Sequence, residues 1–225
     1  MTTDSNTAGI ELQTGPSPSW AVIWLHGLGA DGHDFEPIVP ELVKPHWPAI
    51  RFVFPHAPVQ PVTINGGMRM RSWYDILGFA PDTPQDEAGI RASASVVERL
   101  IAREVERGIP TERIILAGFS QGGVIVLTAG LRHASPLGGI VALSTYLALD
   151  DTLADEASPA NRTIPIFMAH GTHDPVIVLP RAQASRTALE VHGYDIQWRT
   201  YPMQHSVCAE EVADLTAWFE ARFAL

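Results

Sequence analysis

Short unbroken apolar runs recur along the chain, separated by stretches whose apolar positions repeat at a helical period. The runs are Trp20 to His26, Ile50 to Phe54, Arg113 to Phe119, Gly139 to Leu143, Ile164 to Ala169 and Asp195 to Thr200, and each reads as a strand. Gly9 to Gly15 adds a first strand, closed by the turn Pro16-Ser17-Pro18-Ser19. Ala88 to Arg107 places Ile90, Ala94, Val97, Ile101 and Val105 on one helical face, and Gly108 and Pro110 stop it. Further helices are expected near Phe35 to Val43, Val124 to His133, Pro180 to His192 and Val207 to Phe223. Strands alternating with helices predict an α/β fold, a mostly parallel sheet with helices on both faces. No repeat or low-complexity linker divides the chain, so residues 1–225 are expected to form a single domain.

One stretch breaks the rhythm. From His56 to Glu87 no helical period is sustained, and a loop that long in a compact domain is usually functional or disordered. Trp73, Tyr74, Ile76, Leu77 and Phe79 make it too apolar for disorder, so residues 56–87 are expected to be an irregular, cap-like segment over the site. Arg69 and Arg71 put two positive charges in that segment of an otherwise acidic chain.

Charge and composition then narrow the function classes. A net charge of −10 argues against nucleic acid or an anionic membrane as partner. The single cysteine, Cys208, leaves no internal disulfide and fits a reducing compartment. No apolar run approaches the roughly 20 residues of a membrane span, and Met1 to Ile10 lacks a basic-then-apolar signal pattern. A cytoplasmic protein without stable membrane association is the expectation; a homodimer is left open.

The chemistry gathers around Gly118-Phe119-Ser120-Gln121-Gly122, at a strand-to-helix junction. In such an elbow the chain reverses sharply at the serine and its flanks come so close that side chains at Gly118 or Gly122 would collide. The turn lifts the Ser120 hydroxyl clear of the sheet and starts a helix, whose first N–H groups favour an anion. A serine nucleophile needs a base, and the base needs an orienting acid. Functional side chains of such sheets collect beyond the carboxyl ends of the strands, where Asp174 and His205 follow two late strands. The order Ser120, Asp174, His205 is one of the known triad orders. Asp150, Asp151 and Asp155 lie in a polar loop, and Asp195 lies on the opposite edge. An oxyanion needs two donors: Gln121 N–H from the elbow, and Leu28 N–H from the loop His26-Gly27-Leu28-Gly29. His170, His173, Asp174 and His205 show no zinc-type spacing, so no metal is expected. His26 and His56 are expected to satisfy loop backbones, and Cys208 to be a small buried residue.

Several motifs occur in order: Leu25-His26-Gly27-Leu28-Gly29, Pro55-His56-Ala57-Pro58, Ser72-Trp73-Tyr74-Asp75, Gly118 to Gly123, His170-Gly171 with Asp174-Pro175-Val176, and His205-Ser206. Across nearly its whole length the chain resembles the carboxylesterase, acyl-protein thioesterase and lysophospholipase family of small α/β-hydrolases, its bacterial carboxylesterases in particular. The resemblance implies an α/β-hydrolase fold, no cofactor, the triad Ser120, Asp174 and His205, and an oxyanion hole from Leu28 and Gln121. It also places Ile76, Leu77, Phe79 and Val178 around the acyl chain. The chain departs from the family's usual pattern at Arg71 and Gln204. The expected activity is that of a serine carboxylesterase on short- to medium-chain esters, through an acyl-enzyme. Thioester hydrolysis on acylated proteins, or lysophospholipid hydrolysis, is the alternative, and a non-catalytic binder of hydrolase fold is the alternative of another class.

Overall fold

A computed structural model describes residues 9–78 and 83–224 of the chain. Nine strands are found there: β1 (Ile10–Gln13), β2 (Trp20–Leu25), β3 (Ile50–Phe54), β4 (Val59–Val62), β5 (Met68–Arg71), β6 (Ile114–Phe119), β7 (Gly139–Leu143), β8 (Ile166–Gly171) and β9 (Ile196–Tyr201). The α-helices are α1 (Val39–Leu42), α2 (Glu87–Glu106), α3 (Gln121–Arg132), α4 (Leu153–Glu156), α5 (Leu179–Val191) and α6 (Ala209–Phe223). The main sheet has seven strands in the order β1-β3-β2-β6-β7-β8-β9. All neighbours run parallel except β1, which pairs antiparallel with β3 at the edge. This is the α/β-hydrolase architecture.

The unbroken apolar runs are explained by burial on both faces. Every residue of β2, β3, β7 and β8 is buried, so none of these strands needs a polar face. Ile23, Leu116 and Ala142 pack with Val97 and Ile101 of α2, Val124 and Leu127 of α3, and Leu189 of α5. On the opposite face Val22, Val141 and Phe167 pack with Leu42 of α1 and Leu215, Trp218 and Phe219 of α6.

Local chemistry moves several boundaries. Pro165 has no N–H to give a ladder, so the strand expected from Ile164 starts at Ile166 and runs on to Gly171. Helix α3 starts at Gln121 rather than Val124, because Ser120 itself takes the N-cap position. The helix expected over Phe35 to Val43 divides into a 3-10 turn, Glu36–Ile38, and the single turn of α1. Within residues 56–87, β4 and β5 form an antiparallel hairpin, so this stretch is less irregular than its sequence suggested. Its turn passes through Gly66 and Gly67 at φ 65° and 78°, a left-handed backbone that glycine adopts without penalty. No helix among the described residues is long and apolar enough to cross a membrane.

Candidate active site

Four parallel strands deliver the expected residues to one edge of the sheet, and a fifth, β7, adds Ser144 and Thr145. Beyond β2 comes Leu28, beyond β6 Ser120, beyond β7 Ser144 and Thr145, beyond β8 Asp174 and beyond β9 His205. Ser120 has φ 54° and ψ −119°, a strained conformation for a residue with a Cβ. Its N–H donates to Leu143 O at 2.9 Å, and Thr145 Oγ1 donates to Ser120 O at 2.7 Å. A Cβ on Gly118 would stand 2.4 Å from Gly122 O, and one on Gly122 would stand 2.3 Å from Leu25 O. The glycines of the elbow are therefore steric requirements, and they let α3 start directly against the end of β2.

His205 Nδ1 lies 2.7 Å from Asp174 Oδ2, with the Asp174 side chain wholly buried. The other carboxylate oxygen, Oδ1, accepts from Val176 N at 2.8 Å and Ile177 N at 3.0 Å. Three donors thus converge on the carboxylate and fix its plane. With Nδ1–H committed to Asp174, the Nε2 lone pair of His205 is available as a base. The ring of Phe119 packs 4.8 Å from that imidazole, centroid to centroid. No hydrogen bond joins the Ser120 hydroxyl to His205 in this structure; such contacts often close only around substrate. Asp150 and Asp195 are exposed, and Asp150 lies in the wall of a cavity with Ile76, Leu77 and Val178.

Among the described residues, neither Leu28 N–H nor Gln121 N–H is used by a hydrogen bond. Both expected oxyanion donors are thus unspent. The Leu28 loop is held from below by His26, whose Nδ1–H donates to Gly27 O at 2.7 Å and whose Nε2 accepts from Ala57 N at 3.0 Å. Burial pushes this imidazole down to about pKa 4, so it stays neutral and can play both parts. His56 Nδ1 likewise accepts from Gly32 N at 2.9 Å.

Three contacts were not legible in the sequence. The buried Gln121 side chain accepts from Trp73 N at 2.8 Å and donates to Tyr74 O at 2.7 Å, clamping the elbow to the segment after β5. The Trp73 indole N–H donates to His26 O at 2.9 Å, so the same segment also braces the Leu28 loop. His170, wholly buried, lies under Asp174. A polar residue directly after an elbow serine, and a Trp-Tyr pair in a stretch without helical period, were the available signals.

Ile76, Leu77 and Val178 line one cavity of about 500 Å³ together with Tyr74, Tyr146 and Arg181, whereas Ser120 and His205 are not among its walls. Phe79, the fourth residue expected there, lies outside the described residues. The two arginines brace their own hairpin: Arg69 Nη2 donates to Val59 O at 2.9 Å and Arg71 Nη1 to Ala57 O at 2.8 Å. No group of three or more His, Cys, Asp or Glu is placed to hold a metal ion among the described residues. His173 is exposed, and Cys208 is half-buried with its thiol pKa raised by that burial.

The sequence profile described as phospholipase/carboxylesterase matches residues 10–222. A Gibberella zeae protein named acyl-protein thioesterase 1 is 42% identical over 205 residues, 87% of each chain. A Mycosarcoma maydis protein of the same name is 38% identical over 229 residues, 95% of each chain. Among solved structures, Arabidopsis thaliana SOBER1 superimposes with a TM-score of 0.86 at 30% identity, over 90% of this chain and 98% of that one.

Proposed function

The chain belongs to the phospholipase/carboxylesterase family, a family of serine hydrolases, and from that premise we propose that it is an acyl-protein thioesterase. Ser120 Oγ attacks the thioester carbonyl while His205 Nε2 takes its proton and Asp174 holds the imidazole by Nδ1–H. The tetrahedral oxyanion is received by Leu28 N–H and Gln121 N–H, with the start of α3 behind the second. As the C–S bond breaks, the leaving sulfur takes the proton from His205 Nε2–H, and with a thiol pKa of about 8.5 it needs little of that help; the imidazole is then neutral again. His205 then activates water against the acyl-Ser120 ester and returns its proton to the serine.

One observation carries the thioester reading: the likeness to proteins named acyl-protein thioesterase 1 extends over almost the whole of both chains. It favours the alternative raised from the sequence, thioester hydrolysis on acylated proteins, over the short-chain carboxylesterase. The surface supports an acyl substrate, since the apolar side chains of Leu77, Val176 and Val178 remain exposed. Simple esters meet the same groups and are expected to be cleaved as well.

The test is a matched pair of peptides, one palmitoylated on cysteine and one on serine, beside nitrophenyl esters from acetate to palmitate. The thioester should exceed the matched ester in kcat/KM by at least about tenfold. In the ester series kcat/KM should climb past octanoate, by up to roughly fourfold per methylene at about 0.8 kcal/mol each. A maximum at acetate or butyrate, with the thioester no faster than its ester, would return the assignment to short-chain carboxylesterase.

A further inference from the structure

The reaction as described makes no use of His170, yet its placement is demanding. It lies near the end of β8, wholly buried, four positions before Asp174. Its Nε2 is 2.7 Å from Ile177 O and 3.4 Å from Asp174 Oδ2. Both neighbours can only accept, so Nε2 carries the ring proton. Burial lowers this imidazole's pKa against the opposing pull of the Ile177 carbonyl and of Asp174, while His205 adds to the lowering. From β9, the uncharged indole of Trp198 stacks against the ring at 6.5 Å. The ring therefore stays neutral, and Nδ1 keeps a lone pair that must accept.

That Nδ1 is buried and unpartnered among the described residues. The register of β7 and β8 ends on Leu143 with Ala169, and the next N–H, that of Ser144, donates to Ala169 O at 2.8 Å, so Ser144 leaves β7 beside the stretch of β8 that carries His170. Ser144 is also wholly buried, its hydroxyl also lacks a partner, and its backbone is held in the left-handed region at φ 45°. A buried donor and a buried acceptor are rarely left unpaired in a folded protein.

We propose that Ser144 and His170 form a buried positioning relay for the catalytic acid. The Ser144 hydroxyl donates to His170 Nδ1 through one enclosed water, and Nε2–H holds the Ile177 carbonyl beside Asp174 Oδ2. The proposal rests on the reading of Asp174 as the acid. Fixing Ile177 fixes the N–H that grips Asp174 Oδ1 at 3.0 Å. The Nε2–H dipole also draws charge from Oδ2, the oxygen that faces His205 at 2.7 Å. Without that dipole the carboxylate would favour the imidazolium more strongly, and His205 would lose its proton at higher pH.

Two measurements test this. In the unaltered protein, 15N NMR of histidine-labelled enzyme should show His170, assigned by its absence in His170→Gln, as the neutral Nε2–H tautomer at neutral pH, titrating only below the range of a free imidazole. In kinetics, His170→Leu should lower kcat about tenfold with KM within about twofold, and move the acid limb of kcat/KM upward. His170→Gln, which keeps a donor for Ile177, should recover most of kcat. Ser144→Ala should shift kcat and the limb in the same direction by less. An Nδ1–H tautomer, titration near neutrality, or a folded His170→Leu with wild-type kcat and limb would overturn the relay. Should His170→Leu fail to fold, the tautomer and Ser144→Ala decide. A full loss in Asp174→Asn beside silent His170 and Ser144 variants would remove the relay alone; a near-normal Asp174→Asn would remove the acid beneath it.

Discussion

Ser120 holds a backbone conformation that costs on the order of 1–3 kcal/mol for a residue with a Cβ. It persists because the glycines on either side let the chain close, and because Leu143 O and Thr145 Oγ1 grip its N–H and carbonyl. Asp174 is held by three donors in the same over-determined way. Asp174→Asn keeps the shape but presents an amide to Nδ1 and so favours the wrong imidazole tautomer; kcat should fall on the order of 10⁴-fold. Asp150→Asn and Asp195→Asn, both exposed and without a hydrogen bond to Asp174 or His205, should leave kcat within about twofold. A comparable loss at Asp195 would displace the acid. The strained elbow at Ser120 and the contact between Asp174 and His205 were legible because an elbow imposes glycine at fixed spacing and a fixed chain order on the residues around it. The clamp from Gln121 was not legible, because its partner Tyr74 stands 47 positions away and the contact is made to backbone atoms that no side chain advertises.

Helices and strands carry the next set of consequences. The edge strand β1 and its neighbour β3 are tied to α2 through charge: Glu104, wholly buried, accepts from Arg51 Nη1 at 2.6 Å and Arg107 Nη1 at 3.0 Å, and Arg107 reaches Glu11. Removing one partner of a buried pair leaves a charge unanswered, so Glu104→Gln should lower unfolding stability by about 3 kcal/mol in a urea titration, with the activity of the remaining folded protein unchanged. At the start of α6, Glu211 is wholly buried, neither oxygen has a hydrogen-bond partner among the described residues, and burial raises its pKa to about 8 against a slight opposing effect of the Cys208 N–H. The folded state then binds more protons than the unfolded one between about pH 4.5 and 8, so stability should fall as pH rises through that window. Glu211→Gln should flatten the decline in melts at pH 6 and pH 9; an unchanged slope would place the carboxylate in contact with water. The α/β alternation was legible because buried parallel strands have to be apolar throughout. The hairpin of β4 and β5 was missed although Asn65-Gly66 is a turn signal, because Pro61 and the alternating Met68-Arg69-Met70-Arg71 do not look like a buried strand.

At the scale of the whole molecule, the parallel sheet is what makes the site. Strands β2, β6, β8 and β9 all end on one edge, so segments from residue 28 to residue 205 are brought to that edge. The helices seal both faces and leave that edge for chemistry, which is why a slip in either late strand would undo the triad more completely than most side-chain changes. The pairing of β8 with β9, from Ile166 with Ile196 to Gly171 with Tyr201, fixes the offset between Asp174 and His205. The central claim is that this edge holds one activated serine. A fluorophosphonate reagent at neutral pH, followed by peptide mass spectrometry, tests it directly. One equivalent of adduct should form on Ser120, activity should be lost in step with labelling, and Ser120→Ala should take no label while keeping the wild-type melting temperature. Labelling at another residue, or an unlabelled enzyme that still hydrolyses thioesters, would contradict the account.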